Sequence, residues 1–169
     1  MINQDIALRL MSAYNLRYFV ETGTHMGRSA EWAASNFVHV RTVEIDKRFH
    51  GIAVDRLSLL DNVVLYHGRS ESELREMLLM TNGAALIWLD AIATRALFTV
   101  STPALITPIQ AEIAIINDDG RPHAVMVGNM DILGRMKGVP SQDRIMKFLR
   151  NGNTRSVTVE RGIIVGEPK

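Results

Sequence analysis

The sequence predicts an α/β protein with a doubly wound, mostly parallel sheet of seven strands, helices on both faces, and an antiparallel hairpin at its C-terminal end. Short apolar runs alternate with stretches of helical periodicity, which is typical of strand–helix units. The run 84–89 is continuously apolar, as expected of a central strand that helices cover on both faces. Near the end of the chain two β-type runs flank the pair Arg161-Gly162, and a link of two residues favours a hairpin.

The individual elements follow from apolar periodicity and turn residues. A leading helix over residues 2–13 precedes the first strand. The elements expected after it are strand 18–20, helix 29–35, strand 40–45, helix 48–59, strand 62–66, helix 71–80, strand 84–89, helix 103–116, strand 123–127, helix 141–149 and hairpin strands 156–160 and 163–165. Segments 91–102 and 128–139 are expected to be loops, and 118–122 a turn. No linker divides the 169 residues, so one domain is expected over 1–169.

Composition narrows the classes of function. The net charge of +1, from 19 basic and 18 acidic residues, gives no reason to expect nucleic acid as a partner. The absence of cysteine excludes disulfides, thiol nucleophiles and thiolate metal sites, and it fits a reducing cytoplasm. The chain shows no signal-peptide pattern and no apolar run of about 18 residues, so we expect a cytoplasmic protein without a membrane partner.

The first two predicted strands end in residues that suit a nucleotide-like ligand. Ligands of parallel sheets bind beyond the carboxyl ends of the strands. The first strand runs into the segment 21–27, Glu-Thr-Gly-Thr-His-Met-Gly, whose glycines allow a sharp turn close to a ligand. Glu44 follows Gly23 by 21 residues, which is the spacing at which a carboxylate holds a ribose diol. The alternative interpretations are that segment 21–27 is a plain tight turn and that Glu44 is a solvated carboxylate. Asp46 is expected to cap the next helix.

The third, fourth and fifth strands also end in polar residues. The loop 67–71 contains Ser70, which can cap the following helix with Glu73 at the capping-box spacing. Asp90 ends the apolar fourth strand, and a carboxylate in that position needs a partner, so chemistry or ligation is most expected there. Asn129 and Asp131 follow the fifth strand, and their role stays open.

Taken together, these motifs resemble class I S-adenosylmethionine-dependent methyltransferases, whose fold is Rossmann-like. The resemblance is greatest to a small subgroup with a Glu-Thr-Gly-Thr motif at strand one and a Trp-Leu-Asp-Ala motif on strand four. It covers residues 14–90 well and continues more weakly over 103–165. It implies S-adenosylmethionine as cofactor, S-adenosylhomocysteine as product, and O-methylation of a small molecule or glycan, since the subgroup occurs with sugar, polysaccharide and natural-product modification.

The resemblance also implies roles for individual residues. Glu21 and Gly23 would lie at the methionine end of the cofactor, and Glu44 would hold the ribose hydroxyls. Asp90 would lie near the transferable methyl group and is the candidate catalytic residue. The other implied cofactor-binding residues are Thr24 and Gly27 in the same turn, and Arg69, Ser70 and Glu71 beside the adenine.

This sequence departs from the family pattern at two positions that concern the catalytic machinery. Catechol-type relatives bind a divalent metal through the Asp that matches Asp90 and an Asp-Asp or Asp-Asn pair after strand five. This chain has Gly128-Asn129 there, so Asp90 and Asn129 are only weak candidate ligands and a metal requirement stays open. The subgroup often has a histidine where this chain has Ile92, which removes one candidate general base.

Two other functions remain compatible with the sequence. The first is a methyltransferase-like module that binds the cofactor, or nothing, and serves in interactions. The second is an NAD-dependent oxidoreductase, although its Gly-x-Gly-x-x-Gly fingerprint is incomplete here. The acceptor pocket is expected to come from residues 1–14, 91–102, 128–139 or a partner subunit, so a homodimer is plausible. His25 and His67, in the loops of the predicted site, are further candidates.

Overall fold

The computed structural model describes residues 1–90, 107–129, 131, 133–134 and 139–169. Its helices are α1 Gln4–Ala13, α2 Arg28–Ala34, α3 Lys47–Leu57, α4 Ser70–Leu79, α5 Ile109–Asp119 and α6 Gln142–Arg150. Its strands are β1 Tyr18–Thr22, β2 His39–Glu44, β3 Val63–His67, β4 Ala85–Leu89, β5 Ala124–Val127, β6 Arg155–Glu160 and β7 Ile163–Pro168. A 3-10 turn, Asn151–Asn153, separates α6 from β6.

The seven strands form one mixed sheet in the order β3-β2-β1-β4-β5-β7-β6. Strands β1 to β5 are parallel, whereas β7 is antiparallel to β5 and to β6. Arg161 and Gly162 connect β6 to β7 with φ angles of 48° and 75°, the left-handed conformations that a tight hairpin turn requires. The predicted fold class, including the C-terminal hairpin, is therefore confirmed.

Strand alternation divides the interior into two apolar layers. Side chains such as Val20 and Val127 face the layer that contains α4, α5 and α6. Their neighbours, such as Phe19 and Met126, face the opposite layer with α1, α2 and α3. Because successive side chains of a strand point to opposite faces, the continuous apolar runs in the sequence reflect a sheet with helices on both sides.

The structure corrects the bounds predicted around the fifth helix. α5 extends through Asp119, so Asp118 and Asp119 belong to its last turn and not to a separate turn 118–122. Gly120, with a φ of 74°, ends the helix. At the other end α5 begins at Ile109 with Pro108 as N-cap, while the earlier start at Pro103 and the predicted loop 91–102 lie outside the described residues. Within the described ranges, no helix is both long and apolar enough to span a bilayer.

A charged cluster joins α4, α5 and β4 at the amino-terminal edge of the sheet. The Arg121 guanidinium donates to the carbonyl oxygens of Leu78 at 2.7 Å, Thr81 at 2.7 Å and Gly83 at 3.0 Å. It also bonds both carboxylate oxygens of Asp119 at 2.6 and 2.7 Å, which holds the pKa of that carboxyl well below its usual range. One side chain thus joins the end of α4, the turn before β4 and the end of α5.

Replacing Arg121 by methionine is expected to lower the free energy of unfolding by about 2–3 kcal/mol, because the Thr81 carbonyl loses its Arg121 donor and the Asp119 carboxylate loses both guanidinium bonds. Asp119 then keeps its bond to His123 Nε2 at 2.8 Å. Urea unfolding monitored by circular dichroism measures the change. The matched control is Arg75→Met, whose pair with Asp118 spans 3.7 Å between side chains 61% and 68% exposed. That control should stay within about 0.5 kcal/mol of wild type. Equal losses in the two variants would contradict the structural role of Arg121.

Candidate cofactor-binding site

Strand register brings the predicted site residues to one edge of the sheet. Glu21 pairs with Thr42, Glu44 with His67, and Leu89 with Val127. Asp90 and Gly128 continue this pairing beyond the strands, since the amide of Asp90 donates to Thr22 O at 3.0 Å and that of Gly128 to Leu89 O at 3.1 Å. The ends of β1, β2, β3, β4 and β5 therefore lie side by side, as the sequence predicts.

The segment between β1 and α2 is a tight turn that three left-handed residues produce. Gly23, His25 and Gly27 have φ angles of 83°, 51° and 78°. The amides of Gly23 and Thr24 both donate to Val43 O, at 2.9 and 3.1 Å, which ties the turn to β2. At Gly27 the positive φ strains any residue that has a Cβ atom, and such an atom would lie 3.2 Å from Arg56 Cδ, so glycine favours both this conformation and the close approach of α3.

Glu44 is held in place by two backbone amides. Its Oε2 accepts from the amide of His25 at 2.7 Å, and its Oε1 accepts from the amide of Asp46 at 2.8 Å. The side chain is 6% exposed, so it is not the freely solvated carboxylate of the alternative interpretation. A carboxylate has about four acceptor positions, and each oxygen keeps one for a ligand hydroxyl. Asp46 caps α3 by accepting from the amides of Arg48 and Phe49, which confirms its predicted role.

Glu21 is a fully buried carboxyl at the end of β1. Thr42 Oγ1 donates to its Oε2 at 2.7 Å, and Thr24 Oγ1 lies 2.6 Å from Thr42 Oγ1. Because the Thr42 proton is directed at Glu21, Thr24 is the donor in the second bond. Burial raises the pKa of Glu21 to about 8, against the lowering effect of the Thr42 hydrogen bond and with a further increase from Asp90. Glu21 therefore carries its proton at neutral pH.

The raised pKa of Glu21 predicts a pH dependence of stability. An acid whose folded-state pKa exceeds its unfolded value contributes stability that is complete below the unfolded pKa, about 4.5, and is lost as pH rises to about 8. We expect the wild-type free energy of unfolding to fall over this range, and Glu21→Gln to remove on the order of 5 kcal/mol of that fall. Urea unfolding at pH 5, 6.5, 8 and 9 measures it, and parallel pH profiles of the two proteins would refute the buried neutral acid.

The loop between β3 and α4 differs from its predicted capping pattern. Arg69 is the N-cap residue of α4, and Ser70 is the first helical residue with 7% exposure. Arg69 pairs instead with Glu71 through its Nε, 2.6 Å from Glu71 Oε1. The predicted partner Glu73 lies over Gly68, where a Cβ atom would be 2.7 Å from Glu73 Oε1. The predicted Ser70 cap is therefore wrong, and the Ser70 hydroxyl is directed into the protein.

Asp90 lies in a crowded corner formed by β4 and β5. Asn129 Nδ2 donates to Asp90 Oδ1, and burial raises the pKa of the carboxyl. A Cβ atom on Gly128 would lie 2.6 Å from Trp88 Cη2 and 2.8 Å from Asp90 Oδ1. The indole of Trp88 thus occupies the space in which an aspartate at position 128 would need to place its side chain.

These contacts do not fit a divalent metal. Mg²⁺ prefers several oxygen ligands in near-octahedral geometry, but Asp90 supplies one carboxylate and Asn129 directs its nitrogen at it. Over the ranges that the structure describes, no cluster of three or more acidic or histidine side chains could hold an ion. The weak metal candidates Asp90 and Asn129 therefore form a hydrogen-bonded pair.

A cavity of about 530 Å³ opens beside Asp90. Its walls come from the start of the chain, the ends of β4 and β5, and the hairpin turn. The residues that line it are Met1, Ile2, Asn3, Trp88, Asp90, Gly128, Asn129, Asp131, Arg161, Gly162 and Ile163. Two of the segments predicted to shape an acceptor pocket, 1–14 and 128–139, contribute, whereas 91–102 is outside the described residues.

Sequence reasoning missed three kinds of residue at this edge. The hairpin turn lines the cavity, but its position depends on the pairing of β7 with β5. Thr42 carries the hydrogen bonds between Thr24 and Glu21, and its signal was a hydroxyl two residues before Glu44, on the same face of β2. Glu112 in α5 is buried at 1% exposure, and the signal was an acidic residue within an apolar helix.

Comparison with solved structures gives the class of the fold. An O-methyltransferase from Bacillus cereus in complex with S-adenosylhomocysteine superposes with a TM-score of 0.68 at 18% identity, over 100% of this chain and 83% of that one. A Podospora anserina methyltransferase bound to S-adenosylhomocysteine has a TM-score of 0.67 at 15% identity, over 100% and 80% of the two chains. The chain therefore has the Rossmann-like fold of S-adenosylmethionine-dependent methyltransferases.

A third neighbour of the same fold is an amino pentose methyltransferase from Micromonospora echinaspora with bound S-adenosylmethionine, which superposes with a TM-score of 0.66 at 13% identity over 98% of this chain and 89% of that one. No protein-family model matches the sequence, and no curated protein matches it significantly. At these identities the likeness defines the fold, and function has to be argued from the site.

Proposed function

We propose that this protein is an S-adenosylmethionine-dependent methyltransferase that methylates a hydroxyl group of a small molecule or sugar. The observation that carries the proposal is Glu44, fixed between the amides of His25 and Asp46 beside the turn 23–27. It presents acceptor positions for a ribose diol at the edge of the sheet where doubly wound folds bind nucleotides. The methyltransferase neighbours crystallised with S-adenosylmethionine or S-adenosylhomocysteine support the same cofactor class.

The residues present fit such a cofactor. Gly23 and Gly27 let the backbone approach it closely, and Thr24 is fixed by its bond to Thr42. Glu21 would lie at the methionine end, where a cationic amino group would favour its ionised form. Ser70, with Arg69 and Glu71 beside it, would border the adenine. When bound, the cofactor supplies an electrophilic methyl group on a sulfonium centre.

Asp90 is the proposed catalytic residue for the acceptor. Its Oδ1 is bonded to Asn129, and its Oδ2 lies 3.9 Å from the amino group of Met1 at the cavity wall, where it can accept the proton of an acceptor hydroxyl. Burial raises the pKa of this carboxyl, so Asp90 is a stronger base than a solvated aspartate. The remaining task is to align the acceptor oxygen with the bond that breaks, which is a positional effect of the cavity walls.

Calorimetric titration with S-adenosylhomocysteine and NAD tests the cofactor class. We expect saturable binding of S-adenosylhomocysteine and none of NAD. The reverse result would favour the oxidoreductase. Binding of neither at millimolar concentration would favour an interaction module without cofactor.

Transfer of radiolabelled methyl from S-adenosylmethionine to a panel of phenols, hydroxy acids and sugars tests the activity. Because the Asp90 corner does not fit a divalent metal, dialysis against a chelator should leave any transfer unchanged. Saturable binding of the cofactor without transfer to any acceptor would favour a catalytically inactive cofactor-binding module.

A further inference from the structure

Two buried carboxyl groups flank the end of β1, one on each face of the sheet, and the proposed function uses only Glu21. The other is Glu112 in the first turn of α5, which lies with α4 on the opposite face. Glu112 is 1% exposed, as completely buried as Glu21. A buried carboxyl is costly in an apolar layer unless polar groups surround it.

The polar groups beside Glu112 belong to the two loops of the candidate site. The hydroxyl groups of Ser70 and Thr22 lie near enough to favour its charged form. Ser70 begins α4 directly after the loop that follows β3, and Thr22 ends β1 directly before Gly23. The carbonyl of Thr22 also accepts from the amide of Asp90 at 3.0 Å. The Glu112 side chain therefore lies beneath the turn 23–27 and the loop between β3 and α4. It also lies beside Thr22, whose carbonyl holds the amide of Asp90.

These groups are not fully bonded. Among the described residues, Glu112 Oε1 and Thr22 Oγ1 are both buried and have no partner with hydrogen-bond geometry. A hydroxyl can donate or accept, and a neutral carboxyl can do both, so the two are complementary. An ionised carboxyl can only accept, which would force both neighbouring hydroxyl groups to donate to it.

We propose that Glu112 is a positioning residue for the candidate cofactor site, which holds the loops after β1 and β3 together through the hydroxyl groups of Thr22 and Ser70. The identity of the ligand rests on the proposed function. The placement of Glu112 beside Thr22 and Ser70 does not. It assigns to α5 a direct role in shaping a site that otherwise consists of strand ends and loops.

The protonation state of Glu112 is expected to control this contact. Burial raises its pKa to about 7, opposed by the nearby hydroxyl groups of Ser70 and Thr22 and increased slightly by the negative charge of Glu71. Below pH 7 the neutral carboxyl can donate to one hydroxyl and accept from the other. Ionisation places an uncompensated charge in a buried position, so both loops should loosen as pH rises from about 4.5 to about 7 and should change little above that.

Hydrogen exchange and affinity test the proposal with four proteins: wild type, Glu112→Ala, Glu112→Gln and Ile116→Ala. Ile116, one turn further along α5, is fully buried in the same apolar layer, so its truncation serves as a control for lost stability. Amide exchange is measured by mass spectrometry on ligand-free protein over residues 22–27 and 67–72. Affinity for S-adenosylhomocysteine is measured by calorimetry.

We expect Glu112→Ala to increase exchange in both segments and to weaken S-adenosylhomocysteine about 10-fold. Glu112→Gln keeps a donor and an acceptor, so its amide exchange and its affinity for S-adenosylhomocysteine should match those of wild type. Ile116→Ala should also leave both quantities at the wild-type level. The intrinsic-rate-corrected exchange of the two segments should rise more steeply between pH 5 and 7 in wild type than in Glu112→Gln, in which Glu21 still titrates.

Three results would overturn the proposal: equal effects of Glu112→Ala and Ile116→Ala, increased exchange confined to α5, or no rescue by glutamine. If wild type binds no S-adenosylhomocysteine, the proposed function is wrong, while the exchange measurements still decide the role of Glu112.

Discussion

Replacing Glu44 by glutamine is expected to weaken binding of S-adenosylhomocysteine by roughly 10- to 100-fold, because a hydrogen bond to a charged group contributes about 1.5–3 kcal/mol. The amide cannot accept on both sides. One of the two backbone donors, His25 N or Asp46 N, would face the NH₂ group, and the ribose hydroxyls would lose acceptor positions. Calorimetric titration of the folded variant measures the loss.

The controls separate ligand binding from folding. Glu31→Gln makes the same change of charge in α2, at a side chain 47% exposed and paired with Arg56, and should bind like wild type. Circular dichroism confirms that each titrated variant is folded. An affinity of Glu44→Gln within threefold of wild type would mean that Glu44 only shapes the turn 23–27 and does not contact the ligand.

Adding a side chain at Gly128 is expected to destabilise the protein by about 1–3 kcal/mol for alanine, and by more for aspartate. A Cβ atom there would lie 2.6 Å from Trp88 Cη2 and 2.9 Å from Trp88 Cζ2, and Trp88 is 2% exposed. For a chain of this size the melting temperature should fall by roughly 3–10 °C. Because the clash prevents a carboxylate at position 128 from reaching a metal position, Mg²⁺ should not restore the stability of Gly128→Asp.

A double-mutant cycle tests whether contact with the Trp88 indole causes this loss of stability. Trp88→Phe removes the two indole atoms that the new Cβ would contact and leaves the contact with Asp90 Oδ1, so Gly128→Ala should cost less in that background than in wild type. The coupling free energy measures the contact directly. Additive losses, or a Gly128→Asp variant that Mg²⁺ stabilises, would show that Trp88 does not exclude a carboxylate from this corner.

Much of the architecture was readable from the sequence because it depends on local patterns. Apolar periodicity located the strands and helices to within a few residues, apart from the start of α5, and the Arg161-Gly162 pair identified the hairpin. The prediction at Asp46 succeeded for the same reason, since an N-cap bonds amides two and three residues ahead. The capping prediction at Ser70 failed because the chain placed Arg69 at the N-cap and directed the Ser70 hydroxyl towards α5.

The sequence by itself determined the order of the elements and which strand ends carry Glu21, Glu44, Ser70 and Asp90, because these follow from spacing along the chain. Whether those residues form a site depends on groups distant in sequence. The register of β1 with β2 set Glu21 beside Thr42, the approach of β5 to β4 placed Trp88 against Gly128, and the packing of α5 placed Glu112 beneath two loops. Desolvation and close packing are properties of the surroundings, so only the tertiary structure decided which carboxyl groups are neutral and which positions exclude a metal ligand.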